Sequence, residues 1–186
     1  SHGLTAGAAY RRDKADSQTY NLPNWADPGS RTSLYSQATG QTVLLAAYLQ
    51  DELRLTPETT IQAGLRHDHW RNSSGYSADP NGAFSYAPRT ASAWSPKIGL
   101  AYRPFEIVTL RTSVGSAFRA PSIYDLYRSA KFTSYSISAN PDLKPETVKT
   151  WDVGGELRAW QGGEVRMTYF NNDIRDLIYV QGSGTT

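Results

Sequence analysis

Val43-Leu44-Leu45-Ala46-Ala47-Tyr48-Leu49-Gln50-Asp51-Glu52-Leu53-Arg54-Leu55 carries a two-residue repeat. Val43, Leu45, Ala47, Leu49, Leu53 and Leu55 hold odd positions, interrupted by Asp51, while Gln50, Glu52 and Arg54 hold even ones. Successive side chains of an extended chain point to opposite faces, so this is a strand with one apolar and one polar side. The period recurs in both directions. In 59–71, Ile61, Ala63 and Leu65 oppose Gln62, Arg66 and Asp68. In 94–103, Trp94, Ile98, Leu100 and Tyr102 oppose Ser95, Lys97, Gly99 and Ala101. In 106–119, Val108, Leu110, Val114 and Phe118 oppose Thr109, Arg111 and Ser113. In 147–160, Trp151, Val153 and Leu157 oppose Asp152, Glu156 and Arg158. A weaker run at 4–10 and a ragged one from 164 towards 180 complete seven expected strands.

The connections alternate in length. Short turns are expected at 56–58, 103–105 and 161–163, and long segments rich in Ser, Asn, Pro, Gly and Tyr at 13–40, 73–93 and 120–146. Strict alternation puts every long loop at one end of an up-and-down antiparallel sheet, as in outer-membrane barrels. From Trp94 to Tyr102 the apolar face covers roughly 26 Å at about 3.3 Å per residue, matching a lipid-facing band with aromatic ends. Soluble strands are usually shorter, about 5–6 residues.

Composition agrees. The 186 residues include no cysteine, which excludes a disulfide or zinc-thiolate scaffold. Nineteen basic against 17 acidic side chains give no reason to expect nucleic acid. The longest apolar run, 43–49, is far below the roughly 18 residues of a spanning helix. A 12% aromatic content with a mean hydropathy of −0.54 suits two-faced strands. Ser1-His2-Gly3 reads as a scar at the start, and no signal peptide is visible.

Two further segments carry a family likeness. Ser113-Val114-Gly115-Ser116-Ala117-Phe118-Arg119-Ala120-Pro121-Ser122-Ile123-Tyr124-Asp125-Leu126-Tyr127 resembles the strand-to-loop passage of TonB-dependent outer-membrane receptors. Asn140-Pro141-Asp142-Leu143-Lys144-Pro145-Glu146-Thr147 is similar to that family's element at the start of the next strand. Phe118, Arg119, Pro121, Asn140, Pro141, Leu143, Pro145 and Glu146 are therefore expected to be structural markers. Tyr48-Leu49-Gln50-Asp51-Glu52, the 95–100 phrase and the 169–178 phrase support the likeness. One departure is Asp152, where the family usually has Glu; it can still serve as a lumen-facing acceptor.

The resemblance implies a plugged, 22-stranded barrel in the bacterial outer membrane. Residues 1–186 would be one part of that barrel domain, with the plug domain, the TonB-contacting box, the terminal aromatic residue and barrel closure lying outside the sequence. An odd count of seven strands also fails to close such a barrel. Implied partners are outer-membrane lipid, the TonB complex acting through the plug, and a ferric siderophore or similar chelate; no cofactor is implied. Rival readings are a soluble carbohydrate-binding β domain and a passive porin-like barrel.

No catalytic residues are expected. Asp51 and Glu52 face opposite sides, and no nucleophile elbow, zinc-protease or phosphate-loop motif occurs. His67 and His69 share a face but have no third ligand in view. The lumen-side charges Glu52, Arg54, Arg66, Asp68, Lys97, Arg111, Asp152, Glu156 and Arg158 are expected to form cross-strand ion pairs. The ligand-binding candidates are Arg119, Tyr124, Tyr127, Arg128, Lys131, Phe132 and Tyr135, because Arg128 and Lys131 sit among aromatics with no acid between Leu126 and Ala139. Cations beside aromatic faces suit an anionic, flat chelate.

Overall fold

The computed structural model describes residues 1–131, 136, 137, 139–160 and 162–179. Among these residues ten strands, a 3-10 turn at Pro28–Ser30 and one short α-helix follow the chain: β1 (His2–Tyr20), β2 (Leu34–Arg54), β3 (Thr59–Asp79), β4 (Gly82–Tyr86), β5 (Arg89–Phe105), β6 (Val108–Arg119), α1 (Ile123–Tyr127), β7 (Ala130–Lys131), β8 (Ser136–Ile137), β9 (Glu146–Trp160) and β10 (Gly163–Arg175). Seven long strands form one antiparallel sheet in the order β1-β2-β3-β5-β6-β9-β10, with β4 folded back on β3. The sheet is all-β and open: β1 and β10 each pair on one side only, among the described residues.

The strands outrun their alternation. β1 continues to Tyr20 and β2 starts at Leu34, so the first long connection is only 21–33 rather than 13–40. β3 runs to Asp79 and turns into β4, so most of 73–93 is also strand. Each of β2 and β3 has 21 residues, which at about 40° tilt rises roughly 50 Å, well beyond a lipid band about 25 Å tall. Beyond that band the outer face meets water while the inner positions, buried near α1, are small or polar (Ser36, Ala38, Gly40, Thr42, Asn72), so the two-residue apolar signal disappears while the backbone ladder continues. At the other end the second expected short turn, 103–105, moves. Pro104 lies inside β5, where the register slips between Tyr102 and Phe105, and the reversal falls at 106–107. A proline with no ladder donor belongs at such an irregularity. β10 stops at Arg175, where Asp176 adopts φ of 53°.

Register separates two faces. One row of paired residues reads Tyr102, Leu110, Gly155 and Met167, and the next reads Leu100, Thr112, Val153 and Tyr169. On β1 to β5 the same face carries Ala6, Leu49, Leu65 and Pro96, then Ala8, Ala47, His67 and Trp94. The opposite face carries Arg66 beside Ser95, Lys97 beside Gly115, and Ser113 beside Asp152. The first is the apolar outer wall and the second the polar inner one. The buried cluster sits on the inner wall near the long-loop end: Ala38, Trp70, Ile123, Leu126 and Tyr127.

Candidate functional site

Segment 120–127 folds inward because its helix is two-faced. Ser122 and Asp125 form a reciprocal capping box, the Ser122 hydroxyl accepting from the Asp125 amide at 3.2 Å and the Asp125 carboxylate from the Ser122 amide at 2.9 Å. Ile123, Leu126 and Tyr127 stand three and four residues apart, hence on one side of α1. That side packs on β1–β3. Leu126 is 0% and Tyr127 1% exposed. The Tyr127 ring stacks on Tyr86 at 5.0 Å between centroids, and its oxygen is 2.6 Å from Asn72 Nδ2. The Asn72 amide nitrogen is the donor in that bond, and its Oδ1 is left without a partner among the described residues. Two glycines make the seat: a Cβ on Gly75 would lie 2.3 Å from the Tyr127 hydroxyl, and one on Gly40 2.8 Å from Ile123. Gly75 is aimed inward by a bulge at Ser74, whose φ is 56°. Burial pushes the Tyr127 hydroxyl above its ordinary range, partly offset by the Asn72 hydrogen bond.

The family-marker residues close the far side of this latch. Arg119 ends β6 and pairs with Glu146, which starts β9, through two guanidinium nitrogens; Glu146 also accepts from the Ile178 amide at 2.6 Å. Arg89 donates to the carbonyls of Pro141 and Leu143. Asn140 caps its own turn, accepting from the Asp142 amide at 3.0 Å, and Leu143 packs against the buried cluster. Phe118 shares the outer-face register of Val114, yet it also packs against that cluster. The β5–β6 ladder ends at Lys97 and Gly115, leaving a gap above it that Phe118 lines.

The candidate binding residues therefore part company. Tyr127 is packing, with no surface for a ligand. Tyr124 and Arg128, one turn apart, stand on the exposed side of α1, with the guanidinium 5.5 Å from the ring centroid. Arg119 stays 60% exposed beside its carboxylate. Lys131 lies in β7, and Phe132 and Tyr135 lie outside the described residues. Tyr124 and Arg119 open onto an inner-wall concavity of about 710 Å³. Its charged lining comprises Arg11, Arg66, Lys97 and Arg119 with Asp13 and Asp68, while Lys14 borders it from an outward-facing position of β1. Arg66 grips Asp68 in a fork at 2.8–3.0 Å, and Arg11 holds Asp13 at 2.9 Å; both pairs run along one strand rather than across strands. Lys97 has no ion pair among the described residues. Lower on the wall Glu156 accepts from Arg111 at 3.1 Å and Arg166 at 3.2 Å, across strands as expected, and Ser113 donates to Asp152.

All three histidines face outward. His67 lies 4.4 Å from Trp94 between ring centroids, His69 is 2.8 Å from Ser92 Oγ, and His2 contacts Asp51. No cluster of three or more metal-binding side chains occurs among the described residues. Asn72, Tyr86, Gly40, Gly75 and Arg89 went unnoticed in the sequence. The Ser122–Asp125 spacing and the 123/126/127 pattern were the available signals for an inward-facing helix.

Residues 1–186 match the family model described as TonB dependent receptor-like, beta-barrel. A hemin receptor of Yersinia enterocolitica is 29% identical over 96% of this chain and 25% of its own length. A ferric enterobactin receptor of Pseudomonas aeruginosa is 25% identical over 94% of this chain and 23% of its own. The closed form of Fiu, a ferric-catecholate import receptor of K12 E. coli, superposes with a TM-score of 0.68 at 22% identity, covering 99% of this chain and 30% of that one. The chain spans about a quarter of the length of the curated relatives it matches.

Proposed function

This chain belongs to the TonB-dependent receptor β-barrel family, and from that membership we propose that residues 1–186 form part of the barrel wall of a bacterial outer-membrane receptor for energised uptake of an anionic ferric siderophore. The observation that carries the reading is the inner concavity, where Arg11, Arg66, Lys97 and Arg119 meet Asp13, Asp68 and Glu146 and Lys97 is left without an ion pair among the described residues. An anionic chelate is drawn by that surplus, and the exposed Tyr124–Arg128 pair offers a flat face and a charge at its rim. Capture is non-covalent; the segment performs no bond chemistry. Release into the periplasm would draw on the inner-membrane TonB complex acting through a plug segment, as the family implies.

Haem suits this wall less well. Axial haem ligands are His, Met, Cys or Tyr. In this segment all three histidines and the single methionine, Met167, face outward, there is no cysteine, and among the described residues Tyr124 is the one tyrosine lining the concavity. Growth of an iron-starved strain relying on the full-length receptor tests the reading. Growth is expected on a ferric catecholate and not on haemin; growth on haemin alone would overturn it.

A further inference from the structure

The outer wall carries a feature that uptake through the lumen does not use. Arg12, Val43 and Arg71 form one row of paired residues across β1, β2 and β3. Two guanidiniums thus stand two strands apart on the outer face, roughly 10 Å at about 4.8 Å per strand. Both are exposed, and neither has an acidic partner among the described residues; Arg12 donates only to Gln41, at 2.7 Å. The next row towards the short-turn end is Tyr10, Leu45, His69 and Ser92, followed by Ala8, Ala47, His67 and Trp94. From the Ala47–His67–Trp94 row an open apolar groove of about 660 Å³ runs down the wall. Ala47 and Ala63 make its floor, and Leu49, Leu65, His67 and Trp94 make its sides.

Small floor residues between larger walls admit a hydrocarbon chain. Unpaired arginines at the aromatic boundary offer bidentate donors to phosphate oxygens. The two features lie on one line along β2 and β3 with only the Leu45–His69 row between them, so one amphiphile spans both. We propose that this strip is a docking site for a phosphorylated lipid of the outer leaflet, its phosphate held between Arg12 and Arg71 and one acyl chain laid in the Ala47–Ala63 groove. The proposal rests on the outer-membrane reading above.

The test uses the full-length receptor, purified in mild detergent and examined by native mass spectrometry. Three probes are compared: a diphosphorylated lipid A, the same glycolipid with its phosphates removed, and inorganic phosphate. The wild type is expected to retain the phosphorylated lipid about tenfold more tightly than the dephosphorylated one, and to show no retention of inorganic phosphate. Arg12→Gln with Arg71→Gln should erase that preference, and Arg12→Lys with Arg71→Lys should keep part of it, both with unchanged heat-modifiable gel migration. Equal retention of both lipids by the wild type, or an undiminished preference in the Gln variant, overturns the site. Retention of inorganic phosphate equal to that of the lipid overturns the assignment to lipid. Fractionation of the same preparation separates the premises: a protein found outside the outer membrane overturns both readings, and one found there without the preference overturns only this one.

Discussion

Gly75→Ala should undock the inward helix. The added Cβ would stand 2.3 Å from both the ring carbon and the oxygen of Tyr127, more than an ångström inside normal contact. Gly40 lies close on the same ring, so the tyrosine has no room to retreat along the wall. Overpacking of this kind costs about 1–3 kcal/mol. The alternative, expelling the ring, forfeits roughly 1.5–3 kcal/mol of burial and about 1 kcal/mol for the bond to Asn72. The cheaper route sets the penalty at about 1–3 kcal/mol. That corresponds to a roughly 5- to 150-fold rise in loop opening. Hydrogen exchange of peptides covering 120–131, followed by mass spectrometry on the full-length receptor in detergent, reads this ratio. Tyr127→Ala supplies the partner variant: in its background Gly75→Ala should be nearly neutral. Wild-type exchange in Gly75→Ala, or an equal penalty with and without Tyr127, would refute the latch.

Arg119→Ala should destabilise the barrel by about 1–3 kcal/mol in denaturant unfolding, because it strands the 8%-exposed Glu146. Glu146→Gln should cost less than about 1 kcal/mol, since Arg119 remains in water. Tyr127 has a raised hydroxyl pKa, so its contribution is complete below the unfolded value near 10 and is lost as pH climbs through the higher folded value. Exchange of 120–131 should accordingly quicken from about pH 10 upward in wild type, beyond the quickening in Tyr127→Phe. Reversing two charges, Arg128→Glu with Lys131→Glu, should weaken equilibrium binding of a ferric catecholate most at low salt. The effect should fade near 1 M, where the Debye length is about 3 Å; identical affinity at every salt would remove the loop from the site.

Where the wall meets lipid on one side, alternation made it legible: Trp94 to Tyr102 and Leu110 beside Arg111 fall on the faces their parity predicts. The strand extensions at 11–20, 34–42 and 72–79 were not legible, because their outer positions meet water and their inner ones, even where buried, are small or polar, as at Ser36, Ala38, Thr42 and Asn72. Pro104 misled for a related reason, marking an irregularity within β5 rather than its end. At the site, composition identified the basic aromatic loop but not its orientation. Tyr124 and Tyr127 look equivalent in sequence; three residues of helix turn one towards solvent and the other onto Gly75. Arg119 and Glu146 were readable as family markers, while their mutual ion pair needed the β6–β9 register.

The assignment of inner and outer walls underlies everything above, and Leu110 and Arg111 test it most directly. Leu110 lies in the outer row with Tyr102, between the middle of the apolar band and its short-turn edge, so Leu110→Arg should cost about 1–2 kcal/mol, below the roughly 2–4 kcal/mol of an arginine at the midplane. Arg111 faces inward, and Glu156 keeps Arg166 at 3.2 Å and Arg158 at 3.6 Å when it is removed, so Arg111→Leu should cost less than about 1 kcal/mol. The measurement is reversible unfolding of the full-length receptor in lipid bilayers, each variant against wild type. A clear excess for Leu110→Arg is the predicted result; equal costs, or a larger cost for Arg111→Leu, would contradict it.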